Sequence, residues 1–107
     1  MLSFLQKGAG KTIRMNDIDP LVGKVELIDI REPYEYQAGT LKTAKNVPMN
    51  ELMANPDKYM KKDKTYYLFC LSGSRSQFAC RKLSSAGFDV INMLGGMAVY
   101  CGIHKVK

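Results

Sequence analysis

The segment Cys70-Leu71-Ser72-Gly73-Ser74-Arg75-Ser76 gathers a thiol, a central glycine, hydroxyls and a guanidinium within seven residues. A short loop with a central glycine can curl so that successive backbone N–H groups point inward and form an anion-binding nest. A helix that starts just behind it adds the positive end of its dipole. Both features favour a thiolate at Cys70, and cysteines in such places ionise at or below neutral pH, at about 3.5–7.5. Gly73 accepts a positive φ without steric cost. Arg75 carries a planar fork that either anchors the loop on a carboxylate or clamps an oxyanion. Leu71 and the hydroxyls of Ser72 and Ser74 are expected to line a small pocket. A free cysteine taken alone is usually a core residue. The glycine, serines and arginine at fixed offsets behind this one favour a functional site.

The flanking pattern predicts what holds that loop. Thr65-Tyr66-Tyr67-Leu68-Phe69 reads as a buried strand, and Ser76, Ala79, Cys80 and Leu83 recur at i, i+3, i+4 and i+7, one face of a helix. Gly87 is expected to end that helix, and Val90-Ile91 to begin the last strand. Upstream, Asn16 offers an N-cap to a short helix through Leu21, and Val25 to Ile30 reads as a strand apolar on nearly both sides. Pro33 is placed to open a helix that runs through Ala38 to a stop at Gly39. Lys45-Asn46-Val47 reads as a short strand, and Asn50 as the cap of a helix that Pro56 ends or kinks. Strands alternating with helices imply an α/β domain, with a mainly parallel central sheet of about five strands and helices on both faces. In such sheets ligands sit beyond the carboxyl ends of the strands, where Cys70 falls.

Length and composition narrow the field. With 107 residues, 46% hydrophobic and 24% charged, one domain spanning residues 12–107 is expected behind a loose lead-in over residues 1–11. No apolar run approaches the ~20 residues a membrane helix needs. The first residues lack a basic start and a long apolar stretch, so the expected location is cytoplasmic and no membrane partner is expected. The net charge of +6 favours anionic partners, small oxyanions or acidic protein surfaces. No basic stripe with interleaved aromatics suggests nucleic acid. Three cysteines without C-x-x-C spacing, and one histidine three residues from the end, fit neither a disulfide framework nor a metal site. Cys80 belongs to the apolar stripe and reads as core. For Cys101, sequence separation leaves open whether it approaches Cys70 and resolves an oxidised sulfur there. Gly8-Ala9-Gly10-Lys11-Thr12 has the end of a phosphate-binding loop, but Leu5 stands where the full pattern needs glycine and no strand precedes it.

Cys70-x-x-Gly73-x-Arg75-Ser76 resembles the active-site loop of the rhodaneses, thiosulfate:cyanide sulfurtransferases. Leu27-Ile28-Asp29-Ile30-Arg31-Glu32 with Glu35-Tyr36 and Gly39 is similar to that family's upstream signature. Ala44-Lys45-Asn46-Val47-Pro48 and Gly95-Gly96 followed by Tyr100 resemble its later motifs, so the likeness runs from about Thr12 to Cys101. The resemblance implies a Cys70 thiolate that takes the outer sulfur of thiosulfate or another small anionic donor. The persulfide would be held by N–H groups of residues 71 to 75 and passed to a thiol or protein acceptor, with no cofactor or metal. It also implies that Asp29 and Arg31 support the loop. Thr40 stands where the family usually has histidine, Lys42-Thr43 replace Pro-Gly, and Tyr100 replaces a common tryptophan. Phosphatases and arsenate reductases of this fold place five residues between cysteine and arginine. Four intervene here, Leu71 to Ser74, a smaller ring that favours sulfur over phosphate. A different class is the non-catalytic rhodanese module used for protein docking, which often lacks the cysteine.

Overall fold

The structure is a computed structural model that describes residues 11–107. Residues 1–10 of the proposed lead-in, with the glycines of the Gly8–Thr12 segment, lie outside the described residues. Lys11, the last residue of that lead-in, accepts the Asn92 N–H on its carbonyl and pairs its ammonium with Asp89.

The apolar runs become the central sheet. Its strands are β1 (Thr12–Arg14), β2 (Glu26–Asp29), β4 (Lys45–Asn46), β5 (Thr65–Phe69) and β6 (Asp89–Leu94), ordered β1-β6-β5-β2-β4 and parallel throughout. A second, antiparallel ribbon pairs β3 (Thr40–Leu41) with β7 (Lys105–Val106). Such two-residue strands carry no periodicity, and the sequence pattern ended its strands at β6. Because strand side chains alternate between faces, each long strand feeds two separate cores. Ile28, Leu68 and Val90 face one core under α2 (Met49–Ala54) and α4 (Ser74–Ser85), whose Ala79, Cys80 and Leu83 meet them. Leu27, Phe69 and Met93 face the other, covered by Met15, Ile18, Leu41 and the short helix α5 (Gly96–Val99).

Some boundaries moved for local reasons. Two 3₁₀ turns, Met15–Asp17 and Asp19–Leu21, stand in place of one helix. Pro20 has no N–H to continue a helical ladder. Asn16 caps nothing there. Its Nδ2 donates to Val99 O and its Oδ1 accepts from Cys101 N–H, tying the early turn to the far end of the chain. Helix α1 (Pro33–Ala38) opens and closes at the expected residues, with Gly39 as its C-cap. Helix α2 begins at Met49 behind Pro48, so Asn50 lies inside it, because Met49 N–H is already anchored on Ile30 O. Asn55 then separates α2 from α3 (Pro56–Tyr59). Helix α4 ends with Ala86 as its cap, and Gly87 follows at φ 99°. Thr43 takes a positive φ of 70°, the conformation that a glycine adopts at far lower cost.

Candidate functional site

Cys70 follows directly on β5 and Gly73 caps α4 with φ 98°, so the chain turns from strand to helix within three residues. A Cβ at Gly73 would sit 3.0 Å from Gly95 N, so glycine is needed here for space as well as for torsion. Behind the turn, Met97 N–H donates to Cys70 O at 2.9 Å and Ala98 N–H to Leu71 O at 2.8 Å. Those two carbonyls are thereby held on the first amides of α5. A carbonyl aimed at the sulfur would repel a thiolate, so this brace decides which dipoles Cys70 meets.

The sulfur meets donors. Gly73 N–H lies 3.1 Å and Ser76 N–H 3.4 Å from Cys70 Sγ, with Ser76 Oγ at 3.5 Å. Burial pushes the Cys70 thiol up. The Ser76 side chain and the amides of Ser76, Gly73 and Ser72 outweigh that and hold it below the ordinary thiol value. Cys70 is fully buried, as a core cysteine would be. What sets it apart is the ring of amides, since Cys80, also buried, has no such donors and is pushed up to about 12 by burial, with the charge of Cys70 adding to the rise.

The remaining predicted residues divide. Leu71, Ser72 and Ser74 are exposed, and the two serine hydroxyls pair with each other at 3.1 Å, so these side chains form a rim and not the lining of an enclosed pocket. Arg75 takes the anchoring role. Its Nη1 and Nη2 reach Glu35 Oε1 and Oε2 at 3.4 and 3.3 Å, while its charge is felt at Cys70. Glu35 is itself tied down, accepting Glu32 N–H at 3.0 Å. Asp29 and Arg31 form a buried fork with contacts of 2.8–3.2 Å, but none of its hydrogen bonds ends on the loop. Arg31 Nη2 donates to Gly39 O at 2.6 Å and Thr40 Oγ1 to Asp29 Oδ2 at 2.8 Å. The pair therefore secures the turn after α1, and its link to the site is indirect, through Ile30 N–H on Phe69 O at 3.0 Å. Thr40 supplies a hydroxyl where the family usually places histidine.

Ser76, Asn92, Glu35, Met97 and Ala98 were missed as site residues. The signal for Ser76 was its place in the motif; the others act across long sequence separations. The amides of Gly73 and Ser76 lie within hydrogen-bond distance of Sγ, and that of Ser72 adds to the lowering of the thiol's pKa. Cys101 is exposed, while Cys70 and Cys80 are buried, and all three thiols are free. Among the described residues no cluster of His, Cys, Asp and Glu could hold a metal, and no helix is long and apolar enough to cross a membrane.

A parallel α/β sheet with a cysteine among inward-facing amides at a strand's carboxyl end defines a class of α/β domain with a single thiol at its loop. The chain belongs to the rhodanese-like family: the model of the rhodanese-like domain matches residues 14–102. It is 37% identical over 83 residues to a putative sulfurtransferase of Bacillus subtilis, YtwF, covering 76% of this chain and 78% of that protein. A protein of Allochromatium vinosum named sulfurtransferase is 34% identical over 77 residues, 71% of each chain. The crystal structure of reduced Bacillus anthracis CoADR-RHD superposes with a TM-score of 0.79 at 34% identity, covering 92% of this chain but only 18% of that longer one.

Proposed function

We propose that this domain transfers sulfane sulfur through a persulfide on Cys70. The observation that carries the reading is the convergence of Gly73 N–H and Ser76 N–H on one sulfur, with the Ser76 hydroxyl oxygen beside it. The thiolate attacks the outer sulfur of thiosulfate or of a persulfide donor. The donor's S–S bond breaks, and sulfite or a thiolate leaves with the electron pair. The new terminal sulfur carries the negative charge, which the same amides stabilise. A thiolate acceptor then attacks that terminal sulfur and regenerates the Cys70 thiolate, so no oxidant, reductant or metal is consumed. Arg75, held by Glu35 yet with a side chain 39% exposed, supplies positive charge to an anionic donor. Relatives named sulfurtransferase support the reaction class, and a reducing cytoplasm suits a cycle that depends on free thiols.

The test is an intact mass after incubation with thiosulfate and, separately, with a small-molecule persulfide. The expected result is a gain of one sulfur atom that disappears in Cys70→Ser and is removed by cyanide. No adduct from either donor would sink the reading and leave the non-catalytic docking module in its place. Aryl phosphate is expected not to turn over at a comparable rate, because the four-residue ring is too small to cradle phosphate.

A further inference from the structure

Asn92 is a polar side chain where the alternation of β6 asks for an apolar one. It lies opposite Leu68 of β5, on the face that carries Ile28, Leu68 and Val90, and is 1% exposed. Cys70, two residues beyond Leu68, turns to the same core. A buried amide is costly unless both of its ends find partners. Asn92 satisfies one: Oδ1 accepts the Ser76 hydroxyl, while Nδ2 is the one buried side-chain nitrogen or oxygen among the described residues with no partner.

Ser76 Oγ is a crossing point. It lies 3.5 Å from Cys70 Sγ and 3.1 Å from Gly73 O, and it has a single proton to give. While the sulfur is protonated, S–H donates to Ser76 Oγ and the hydroxyl proton goes on to Asn92 Oδ1, an arrangement that the heavy-atom positions fit. Once the sulfur is charged, that donor is gone and Ser76 is most useful donating toward it. A half-turn of the Asn92 amide about its two-fold terminal torsion then brings Nδ2–H onto Ser76 Oγ. The movement exchanges an orphan donor for an orphan carbonyl, so its gain is the hydroxyl proton freed for the charged acceptor, which binds it about twice as strongly as a neutral carbonyl.

We propose that Asn92 is a positioning residue that directs the Ser76 hydroxyl proton onto the Cys70 sulfur whenever that sulfur is a thiolate, the state that attacks the donor and that the acceptor step regenerates. The proposal rests on the sulfur-carrying reading and assigns a role to a residue that never touches the donor. The other ionisable groups whose charges couple to this sulfur are Arg75 and Cys80 of α4, and the substitutions below leave both in place.

The experiment is the pH dependence of Cys70 alkylation by iodoacetamide, resolved by peptide mass, with thermal unfolding of each variant alongside. Neither measurement needs a sulfur donor. Ser76→Ala and Asn92→Val are each expected to move the alkylation midpoint up by about one pH unit, the size of a lost hydrogen bond to a charged group. The double variant is expected to move no further than Ser76→Ala, because both changes remove one bond. Asn92→Val is expected to unfold near the wild-type temperature, since it also removes an unpaired donor. If it does not fold, Asn92→Ala at the same site gives the same readout. A wild-type midpoint in a folded Asn92 variant, or additive shifts in the double variant, would overturn the proposal. Wild-type protein that loads sulfur while Asn92→Val keeps its midpoint refutes the relay alone. A shifted midpoint in protein that never loads sulfur refutes sulfur carrying and leaves the hydrogen-bond relay standing.

Discussion

Two buried thiols on one helix-covered face differ in ionisation because of what surrounds each sulfur atom. Cys70 has amide and hydroxyl donors that offset desolvation, while Cys80 has hydrocarbon neighbours and the repulsion of Cys70. The same logic separates the buried charges. Asp29 is fully buried and Arg31 is 5% exposed; the carboxylate accepts from the Arg31 side chain, Arg31 N–H and Thr40 Oγ1, and the guanidinium also donates to Gly39 O. Removing one partner strands the other charge in a dry interior, which typically costs 3–5 kcal/mol. Asp29→Ala is therefore expected to lower unfolding stability in denaturant by about 3 kcal/mol or more. Its hydrogen bonds reach the turn after α1 and not the Cys70 loop. The fraction that remains folded at low temperature is thus expected to load sulfur at close to the wild-type rate. A folded Asp29→Ala protein that failed to load would show that the pair governs the loop after all.

The short helix α5 contributes more to the site than its four residues suggest. Its first turn approaches the loop so closely that a Cβ at Gly96, at φ 61°, would collide with the carbonyl oxygens of Cys70 and Leu71. Gly96→Ala must therefore push the loop away or break the bonds from Met97 and Ala98 N–H, besides forcing alanine into a left-handed conformation that costs roughly 1–2 kcal/mol. The expected outcome is a drop in stability of a few kcal/mol, with a rise in the pH at which Cys70 alkylates, read in the same assay as above. Unchanged alkylation in folded Gly96→Ala would mean that the carbonyl brace is irrelevant to the sulfur. This brace also marks the limit of what the sequence made legible. Strand β5, helix α1 and the buried stripe of α4 follow from apolar runs, Pro33, Gly39 and helical spacing, all local signals. The loop between Cys70 and Ser76 was legible as a unit because one turn contains it. Asn92, Glu35 and the amides of α5 were not, because their roles arise only when β6, α1 and the chain's end fold back onto β5. Asn16 went astray for the same reason: a good cap by type was claimed by Val99 and Cys101, more than eighty residues away.

At the scale of the whole molecule, the two cores on opposite faces of the sheet each hold a group that resists ionisation. Cys80 lies in the core under α4 and is pushed up to about 12 from 9.0 by burial, with the charge of Cys70 as a lesser cause. Tyr100, packed against the other core, is pushed up to about 12 from 10.0, first by burial and then by its hydrogen bond to the Asp19 carboxylate. Both are acids whose folded values lie above their unfolded ones. Between those values the unfolded chain has released protons that the folded chain still holds, so stability falls as pH rises. For Cys80 the window runs from 9.0 to about 12. One pH unit corresponds to ~1.36 kcal/mol, so ionisation of the unfolded thiol withdraws on the order of 4 kcal/mol by the top of that range. Cys70 acts in the opposite sense, since its depressed value adds stability as pH rises toward 9.0 and nothing beyond it. Denaturant unfolding followed across pH is thus expected to give a maximum near the ordinary thiol value and a decline on its alkaline side. Cys80→Ala is expected to flatten that decline while lowering stability at neutral pH through the cavity it leaves. Tyr100→Phe is expected to remove the further loss that begins above pH 10.0, where the unfolded phenol ionises. A wild-type curve that stays level above pH 9.0 would mean that neither group is held un-ionised by the fold.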